Sequence, residues 1–269
     1  METRFEGRPF EGRQYGYLHE GNDGVFVRNI PWQQVGGYSV GVVHIQNTSY
    51  PFMPGNVVNA CTYDFPVRMR AVEGLDTQQV FDADPSIVDN IIAAARHMVE
   101  KEGVRAICSA CGFFGNYHKK VAAALDVPTA MSSLVQIPMI RATLRPGQKI
   151  GVMTATAKSL TDSLLAECGI ETGLEGLVVQ DTQQTKNFSC VCDNRGYWDN
   201  EAARNEILDC ARELISKDDN IGAILLECSD MPPYASAVQA LTQLPVFDFI
   251  GLIKWLHHSV NQKPYSGWI

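Results

Sequence analysis

Short apolar runs alternate with amphipathic stretches along most of the chain. The run IGAILL at 221–226 is apolar throughout, as is typical of a strand buried on both faces of a parallel sheet. The stretch 86–101 places Ile87, Ile91 and Met98 at helical spacing. Further strand-like runs begin near residues 38, 67, 104, 127, 149, 176 and 246. Strands that alternate with helices predict an α/β fold with parallel sheets, and they exclude an all-β sandwich or barrel.

Two segments of the chain echo each other, and each carries a cysteine where a strand is predicted to end. Cys111 follows the run near 104, and Cys228 follows the run at 221–226. A proline comes 17 residues after each cysteine, at Pro128 and Pro245. The repeat is twofold, which disfavours a TIM barrel and predicts two similar lobes, each with one cysteine at the ligand-binding edge of its sheet.

The composition is that of an ordinary globular protein, with 45% hydrophobic and 19% charged residues among 269. A net charge of −8 argues against partners such as nucleic acid or an anionic membrane. The N-terminus lacks the apolar core of a signal peptide, and no apolar run is long enough to cross a bilayer. The eight cysteines are therefore expected to be free thiols in a cytoplasmic protein.

Paired cysteines at equivalent strand ends would face each other across the cleft between two lobes. Such a pair suits the removal of a proton α to a carboxylate on one face and its return on the other. The elements after Cys111 and Cys228 read as helix N-termini, which are expected to lower the thiol pKa towards neutrality. The expected ligand is a small carboxylate, and this chemistry requires neither a metal nor an organic cofactor. Each cysteine alone would more often be a small buried apolar residue.

Other predicted strand ends carry amide, hydroxyl and backbone groups that suit a carboxylate. The candidate substrate-binding residues are Asn47, Thr48, Gly112, Phe113, Ser132, Ser133, Thr154, Ser229 and Tyr234. Helix capping or packing explains several of these equally well. The polar segment 181–198 is predicted to be a long loop, and its Cys190 and Cys192 lack a histidine at zinc-like spacing.

The motifs SACGFF at 109–114 and LLECSDMPPY at 225–234 carry a resemblance to a known family. Over residues 38–262 the chain resembles the aspartate/glutamate racemase superfamily. The resemblance implies two pseudo-symmetric α/β lobes, an active site between them, and cofactor-independent proton transfer by Cys111 and Cys228. It also implies that the last helix returns to the first lobe. The implied division is an N-terminal extension at 1–36, lobe 1 at 37–130 with 245–269, and lobe 2 at 131–244.

The sequence departs from the amino-acid racemases beside both cysteines. Gly112-Phe113 stands where those enzymes usually have Asn-Thr, and Ser229-Asp230 where they have Thr-His. The departure removes polar partners for a substrate amino group and makes the pocket more apolar. The same two motifs are similar to the algal dimethylsulfoniopropionate lyases of this superfamily.

Three hypotheses follow from the sequence. The first is a two-base racemase or epimerase of an amino acid or related carboxylate, and the alternative is a dimethylsulfoniopropionate lyase. The third is a carboxylate-binding protein without catalysis. Arylmalonate decarboxylases share the fold but typically keep only the second cysteine, so that activity is less favoured. Enzymes of this two-lobed type often dimerise, and we therefore expect a homo-oligomer.

Overall fold

The computed structural model describes residues 33–269 and contains two four-stranded parallel sheets. The first sheet has the order β2-β1-β3-β4 and the second the order β6-β5-β7-β8. The strands are β1 Val40–Ile45, β2 Val67–Val72, β3 Ala106–Ser109, β4 Thr129–Ala130, β5 Lys149–Thr154, β6 Leu177–Asp181, β7 Ile221–Leu226 and β8 Val246–Phe247. The two sheets have the same strand order when β5 to β8 are renumbered from one to four. The predicted α/β class with a parallel sheet in each lobe is confirmed.

Helices flank both sheets. They are α1 Thr77–Phe81, α2 Val88–Glu102, α3 His118–Ala123, α4 Ile137–Thr143, α5 Asp162–Glu167, α6 Cys190–Asp193, α7 Asn200–Ser216, α8 Ala235–Thr242 and α9 Phe249–Val260. Among the helices of residues 33–269, none combines the length and the apolar character needed to cross a bilayer.

The central strands of both sheets are buried, as their apolar sequences predict. All six residues of β7 are buried, and so are all four of β3. Cys111 follows β3 and Cys228 follows β7, which occupy equivalent third positions in their sheets. The two cysteines therefore emerge from matching strand ends, as the internal repeat indicates.

Several predicted helices begin later than the sequence pattern suggests. After Cys111 the chain forms a 3-10 helix at Gly112–Tyr117 before α3, because two glycines in this segment weaken α-helix formation. A helical stretch is also predicted from the sequence at 155–168, directly after the strand-like run near 149. In the structure this helix begins only at Asp162, where the Thr161 side chain accepts the Leu164 N–H as an N-cap. The loop predicted at 181–198 contains the single-turn helix α6.

Helix α9 packs on the first sheet although it follows the second in sequence. Its buried residues Phe249, Leu252, Ile253 and Leu256 share an apolar cluster with Val40, Val42, Ala106 and Cys108. Burying each of the Val, Leu, Ile and Phe side chains among them contributes roughly 1.5–3 kcal/mol. The strand before α9 is β8, and it pairs with β7, so residues 246–247 still belong to the second sheet.

The lobe boundaries given from the sequence therefore stay a prediction. In the structure the chain returns to the first sheet after β8, with helix α9. Residues 1–32 of the N-terminal extension predicted at 1–36 lie outside the described residues. The homo-oligomer and the cytoplasmic location stay predictions as well.

Candidate active site

Both repeat cysteines line one small pocket between the two sheets, with about 350 Å³ of empty space including its open side. Cys228 is buried, whereas Cys111 is partly exposed to the pocket. Each sulfur accepts a backbone N–H from the residue two positions later, Phe113 for Cys111 and Asp230 for Cys228. The pocket is lined by Ile45, Tyr50, Thr77, Phe81, Ala110, Cys111, Gly112, Phe113, Ala155, Val191, Glu227, Cys228, Ser229 and Asp230.

Asp230 is the hydrogen-bonding centre of the Cys228 side of the pocket. The Cys228 thiol donates to Asp230 Oδ2 at 3.6 Å, and the Ser229 and Tyr50 hydroxyls donate to the same oxygen at 3.3 Å each. The Asn56 side-chain amide donates to Asp230 Oδ1. Tyr50 and Asn56 lie in the loop after β1, so Asp230 links the second lobe to the first and accepts a hydrogen bond from the thiol beside it.

A segment of the second lobe holds Tyr50 in place. The Tyr50 ring stacks on Trp198, with 6.0 Å between the ring centroids. The Ser49 backbone N–H donates to Asn194 Oδ1 at 3.1 Å. Val191 from the same segment lines the pocket. The loop after β1 and the segment 190–198 therefore meet beside the pocket.

Glu227 precedes Cys228 and is completely buried. The Thr154 hydroxyl donates to Glu227 Oε2 at 2.8 Å. Glu227 Oε1 is buried and makes no hydrogen bond with the described part of the chain. A Cβ added at Gly112 would lie 1.7 Å from this oxygen, so the Glu227 carboxyl lies directly against the backbone next to Cys111. The carboxyl therefore bridges the two cysteine motifs.

Burial sets the protonation of all four acidic groups in the pocket. Desolvation raises the pKa of Glu227 to about 7, against the lowering effect of hydrogen bonds from Thr154 and the Ala155 backbone N–H. Desolvation likewise raises the pKa of Asp230 to about 6. The thiol pKa of Cys111 and of Cys228 lies well above its ordinary value, mainly because of desolvation and then because of nearby carboxyls.

The lowered thiol pKa predicted from the sequence is therefore wrong. The elements after the cysteines begin as short 3-10 turns, Gly112–Tyr117 and Pro232–Tyr234, rather than as α-helices with a strong dipole. Burial and the neighbouring carboxyls of Glu227 and Asp230 outweigh the single N–H that each sulfur receives.

Among the described residues that line the pocket, none is a lysine, arginine or histidine. Acidic, thiol and aromatic groups supply its functional side chains. In residues 33–269 no three His, Cys, Asp or Glu side chains converge in a metal-binding arrangement. The arrangement can exchange protons among thiols and carboxyls and can accommodate a positively charged group beside the aromatic rings of Tyr50, Phe81 and Phe113.

Known proteins with similar sequences place the chain in a family, although no family model matches it. The chain is 32% identical over 217 residues to a dimethylsulfoniopropionate lyase of Durusdinium sp. clade D, an alignment that covers 79% of the chain and 71% of that protein. The chain belongs to the dimethylsulfoniopropionate lyase family. The proteins of this family that match the chain are named as lyases, which are enzymes.

Other members of the lyase family are similar over less of their length. Dimethylsulfoniopropionate lyase 7 of Emiliania huxleyi strain CCMP1516 is 30% identical over 220 residues, which covers 79% of the chain and 64% of that protein. Lyase 3 of the same strain is 28% identical, and the chain spans 61% of its length.

Solved structures with the same fold extend the comparison beyond the lyase family. A cysteine-for-glycine variant of arylmalonate decarboxylase, in a sulfate-associated form, matches with a TM-score of 0.54 and 15% identity, over 82% of the chain and 92% of that protein. Allantoin racemase from Pseudomonas fluorescens matches at 0.53 and 13%, over 86% and 99%. A glutamate racemase from Bacillus anthracis matches at 0.51 and 13%, over 84% and 85%. The fold implied by the resemblance to the racemase superfamily is confirmed, and so is the similarity to its lyase branch.

The structure brings five of the predicted site residues to the pocket of this family member. They are Cys111, Gly112, Phe113, Cys228 and Ser229. Three more lie behind the lining and support it. Thr154 donates to Glu227 Oε2, the Ser133 hydroxyl donates to the Glu227 carbonyl at 3.1 Å, and Ser132 caps the 3-10 helix at Ser133–Gln136.

Three predicted substrate-binding residues lie away from the pocket lining. Asn47 is exposed and Thr48 is half-buried in the loop after β1. The Tyr234 hydroxyl donates to Asn200 Oδ1 at 2.9 Å, and its ring packs edge-on against Phe188. Tyr234 therefore stabilises the second lobe between α7 and α8.

Sequence reasoning missed the acidic residues of the pocket. Glu227 and Asp230 flank Cys228 at the end of a buried strand, and charged residues in such a place are a signal of function. Tyr50, Asn56 and Phe81 carry no comparable local signal, because long-range contacts bring them to the site.

The buried Glu227 carboxyl predicts a pH-dependent stability difference. Glu227→Gln is expected to raise the free energy of unfolding at pH 8 by about 3 kcal/mol, with no difference near pH 4, because the folded pKa of about 7 exceeds the ordinary 4.5. The stabilisation from the protonated carboxyl is present at low pH and is lost as pH rises through 7. Urea denaturation at both pH values measures it, with the exposed Glu171→Gln as control. An equal effect of Glu227→Gln at both pH values would contradict this expectation.

Proposed function

We propose that the protein is a dimethylsulfoniopropionate lyase, which removes the α-proton of a sulfonium carboxylate and releases dimethyl sulfide and acrylate. Membership of the lyase family supports the substrate class. The observation that carries the proposal is a cysteine-lined pocket to which residues 33–269 contribute two carboxyls, three aromatic rings and no cationic side chain. We place Cys111 and Cys228 in the catalytic site on the same grounds.

The charge of the pocket supports a substrate that carries its own cation. Both thiols have a raised pKa, and the lining residues that the structure describes provide no positive charge to stabilise a thiolate. A sulfonium group in the pocket would supply that charge and lower the thiol pKa. Tyr50, Phe81 and Phe113 line the pocket, and cations bind favourably over the faces of aromatic rings. A dicarboxylate such as aspartate would place extra negative charge beside Glu227 and Asp230.

The proposed reaction begins at Cys228 and its hydrogen-bonded neighbour Asp230. The Asp230 carboxylate accepts the Cys228 thiol proton, and the thiolate then removes the α-proton of the substrate. The electron pair of the broken C–H bond forms the double bond between Cα and Cβ. The bond between Cβ and sulfur breaks, and its electron pair leaves with sulfur as neutral dimethyl sulfide. Acrylate remains, the α-proton is held by the Cys228 thiol, and Asp230 releases the original thiol proton to solvent. One neutral substrate thus gives dimethyl sulfide, the acrylate anion and one proton, without an external oxidant or reductant.

A racemase or epimerase remains a second candidate because of the symmetry of the cysteine pair. Cys111 and Cys228 follow equivalent strands of the two sheets and receive equivalent backbone N–H groups. In that reaction Cys228 would take the α-proton and Cys111 would return a proton to the opposite face. The first step is the same as in the lyase. The substrates of a racemase differ from the sulfonium substrate of the lyase because they carry no leaving group on the β-carbon.

Proton NMR of substrates incubated with the enzyme in D2O tests both candidates. The panel contains dimethylsulfoniopropionate, both enantiomers of aspartate and glutamate, and a hydantoin. We expect acrylate and dimethyl sulfide from the sulfonium compound, without loss of the α-proton signals of the amino acids. Loss of the α-proton from both enantiomers of one compound, without elimination, would instead establish the racemase.

The Cys228–Asp230 hydrogen bond predicts the acidic limb of the pH profile. Asp230 must be ionised to accept the thiol proton, so kcat/KM should rise as pH increases through about 6. Asp230→Asn is expected to remove this limb and to lower kcat/KM by about 100-fold. Initial rates between pH 5 and pH 8 measure the effect, with the exposed Asp219→Asn as control. An unchanged rising limb in Asp230→Asn would assign it to another group.

A further inference from the structure

The Glu227 carboxyl has a fixed oxygen and a free one. Thr154 and the Ala155 backbone N–H donate hydrogen bonds that hold the carboxyl, the first of them to Oε2 at 2.8 Å. Oε1 is fully buried and without a partner among the described residues, although Glu227 lines the pocket. Buried polar atoms are nearly always hydrogen-bonded, so an unpaired oxygen on a residue of the pocket wall is available to bind a molecule in the pocket.

The orphaned oxygen lies against the backbone of the opposite cysteine motif. Gly112 directly follows Cys111, and any Cβ at this position would overlap Glu227 Oε1 at 1.7 Å. The absence of a side chain at Gly112 therefore allows Glu227 to reach across from the second lobe. Glu227, Gly112 and both cysteines line the same pocket, so we expect a molecule held between Cys111 and Cys228 to contact Oε1.

The known partners of the carboxyl determine what the free oxygen can do. Thr154 and the Ala155 N–H both donate, so a proton on the carboxyl resides on Oε1. The nearby Asp230 is also acidic, and no lysine, arginine or histidine lines the pocket among the described residues. The neutral carboxyl therefore offers one O–H donor to the pocket, and a carboxylate is its natural acceptor.

We propose that Glu227 is a catalytic residue that donates a hydrogen bond from Oε1 to the substrate carboxylate and stabilises the charge that builds there as the α-proton leaves. This inference rests on the proposed lyase reaction. As Cys228 removes the proton, the electron pair of the C–H bond moves partly onto the carboxylate oxygens. A hydrogen bond to those oxygens strengthens towards the transition state, so it lowers the barrier rather than only the KM. Elimination of dimethyl sulfide then returns the charge to that of an ordinary carboxylate.

Two substitutions distinguish a Glu227 side chain that acts as a hydrogen-bond donor from one that acts as a negative charge. Glu227→Gln keeps a neutral donor in nearly the same volume, whereas Glu227→Ala removes it. With dimethylsulfoniopropionate, Glu227→Ala is expected to lower kcat by about 100- to 1,000-fold, the effect of losing one donor to a developing oxyanion. Glu227→Gln is expected to stay within about 10-fold of the wild type at pH 6. Glu171→Gln, on the exposed surface, is the matched control and should behave as wild type.

The pH profile supplies a readout that a structural role would not change. Wild-type kcat should fall as pH rises through about 7, because Glu227 loses the proton that it donates. Glu227→Gln should lose this falling limb while it keeps the rising limb near pH 6. If Glu227→Gln instead raises KM as strongly as Glu227→Ala does and leaves kcat unchanged, Glu227 binds the sulfonium as an anion and the inference is overturned.

Infrared difference spectroscopy separates failure of this inference from failure of the proposed function. At pH 6 the half-protonated Asp230 contributes one protonated-carboxyl band, which Asp230→Asn removes. A second band, from Glu227, should be present in the wild type, in Glu171→Gln and in Asp230→Asn, absent in Glu227→Gln, and shifted by acrylate. A wild type that leaves dimethylsulfoniopropionate intact would refute the lyase. If the enzyme is an active lyase but its Glu227 carboxyl band does not shift with acrylate, or Glu227→Ala keeps full kcat, the role of Glu227 is refuted. The lyase function would then still stand.

Discussion

Cys228→Ala is expected to lower kcat/KM for dimethylsulfoniopropionate by about 1,000-fold or more. The substitution removes the group that accepts the α-proton, and Asp230 alone is held too firmly by Tyr50 and Asn56 to replace it. Headspace detection of dimethyl sulfide measures the loss. The fold should survive, because Cys228 to Ala deletes one sulfur at a pocket wall.

The matched substitution at the other cysteine distinguishes the two candidate reactions. A lyase needs one base, so Cys111→Ala should reduce activity much less than Cys228→Ala does. A two-base racemase needs both thiols and would lose all racemisation in either variant. Cys61→Ser, at an exposed cysteine, controls for general effects of removing a thiol. Equal and nearly complete loss of elimination in both variants would contradict a single-base lyase.

The fold could be predicted from the sequence because the apolar patterns of its strands and helices are local and occur twice along the chain. The run at 221–226 is short and continuously apolar, which is typical of a strand buried on both faces. The twofold repeat then indicates that Cys111 and Cys228 occupy equivalent positions. The bounds of β2, β5 and α9 follow from apolar patterns that the tertiary structure does not override. Helix starts were less accessible, because a single capping residue such as Thr161 moves the start by a full turn or more.

The chemistry of the site was less accessible because it depends on distance and burial. Thiol pKa values follow from the sum of desolvation, backbone hydrogen bonds and nearby carboxyls, and only the structure gives these magnitudes. The sequence places Glu227 beside Cys228 but does not show that its carboxyl reaches Gly112 in the other lobe. Tyr50 and Asn56 reach Asp230 across about 180 residues of chain, a contact with no local pattern.

Gly112→Ala is the substitution that tests this interlobe packing most directly. The new Cβ would lie 1.7 Å from Glu227 Oε1, a distance that requires the carboxyl to move. Displacing it breaks the 2.8 Å hydrogen bond from Thr154, so we expect a loss of about 1–3 kcal/mol in the free energy of unfolding and at least a 100-fold fall in kcat/KM. Urea denaturation and dimethyl sulfide release measure the two effects.

A double-mutant cycle shows whether Glu227 transmits the effect of Gly112→Ala. In Gly112→Ala combined with Glu227→Ala, the overlapping carboxyl is gone, so most of the lost stability should return. The activity should not return, because the donor is still absent. Gly267→Ala, in a segment where an added Cβ meets nothing within 4 Å, is the control for a glycine-to-alanine change. If the double variant is no more stable than Gly112→Ala, the destabilisation comes from backbone displacement beside Cys111 rather than from the carboxyl. Recovery of stability without activity would establish two separate effects of Gly112→Ala. The loss of stability would come from the overlap of the new Cβ with Glu227, and the loss of activity from displacement of the Glu227 carboxyl.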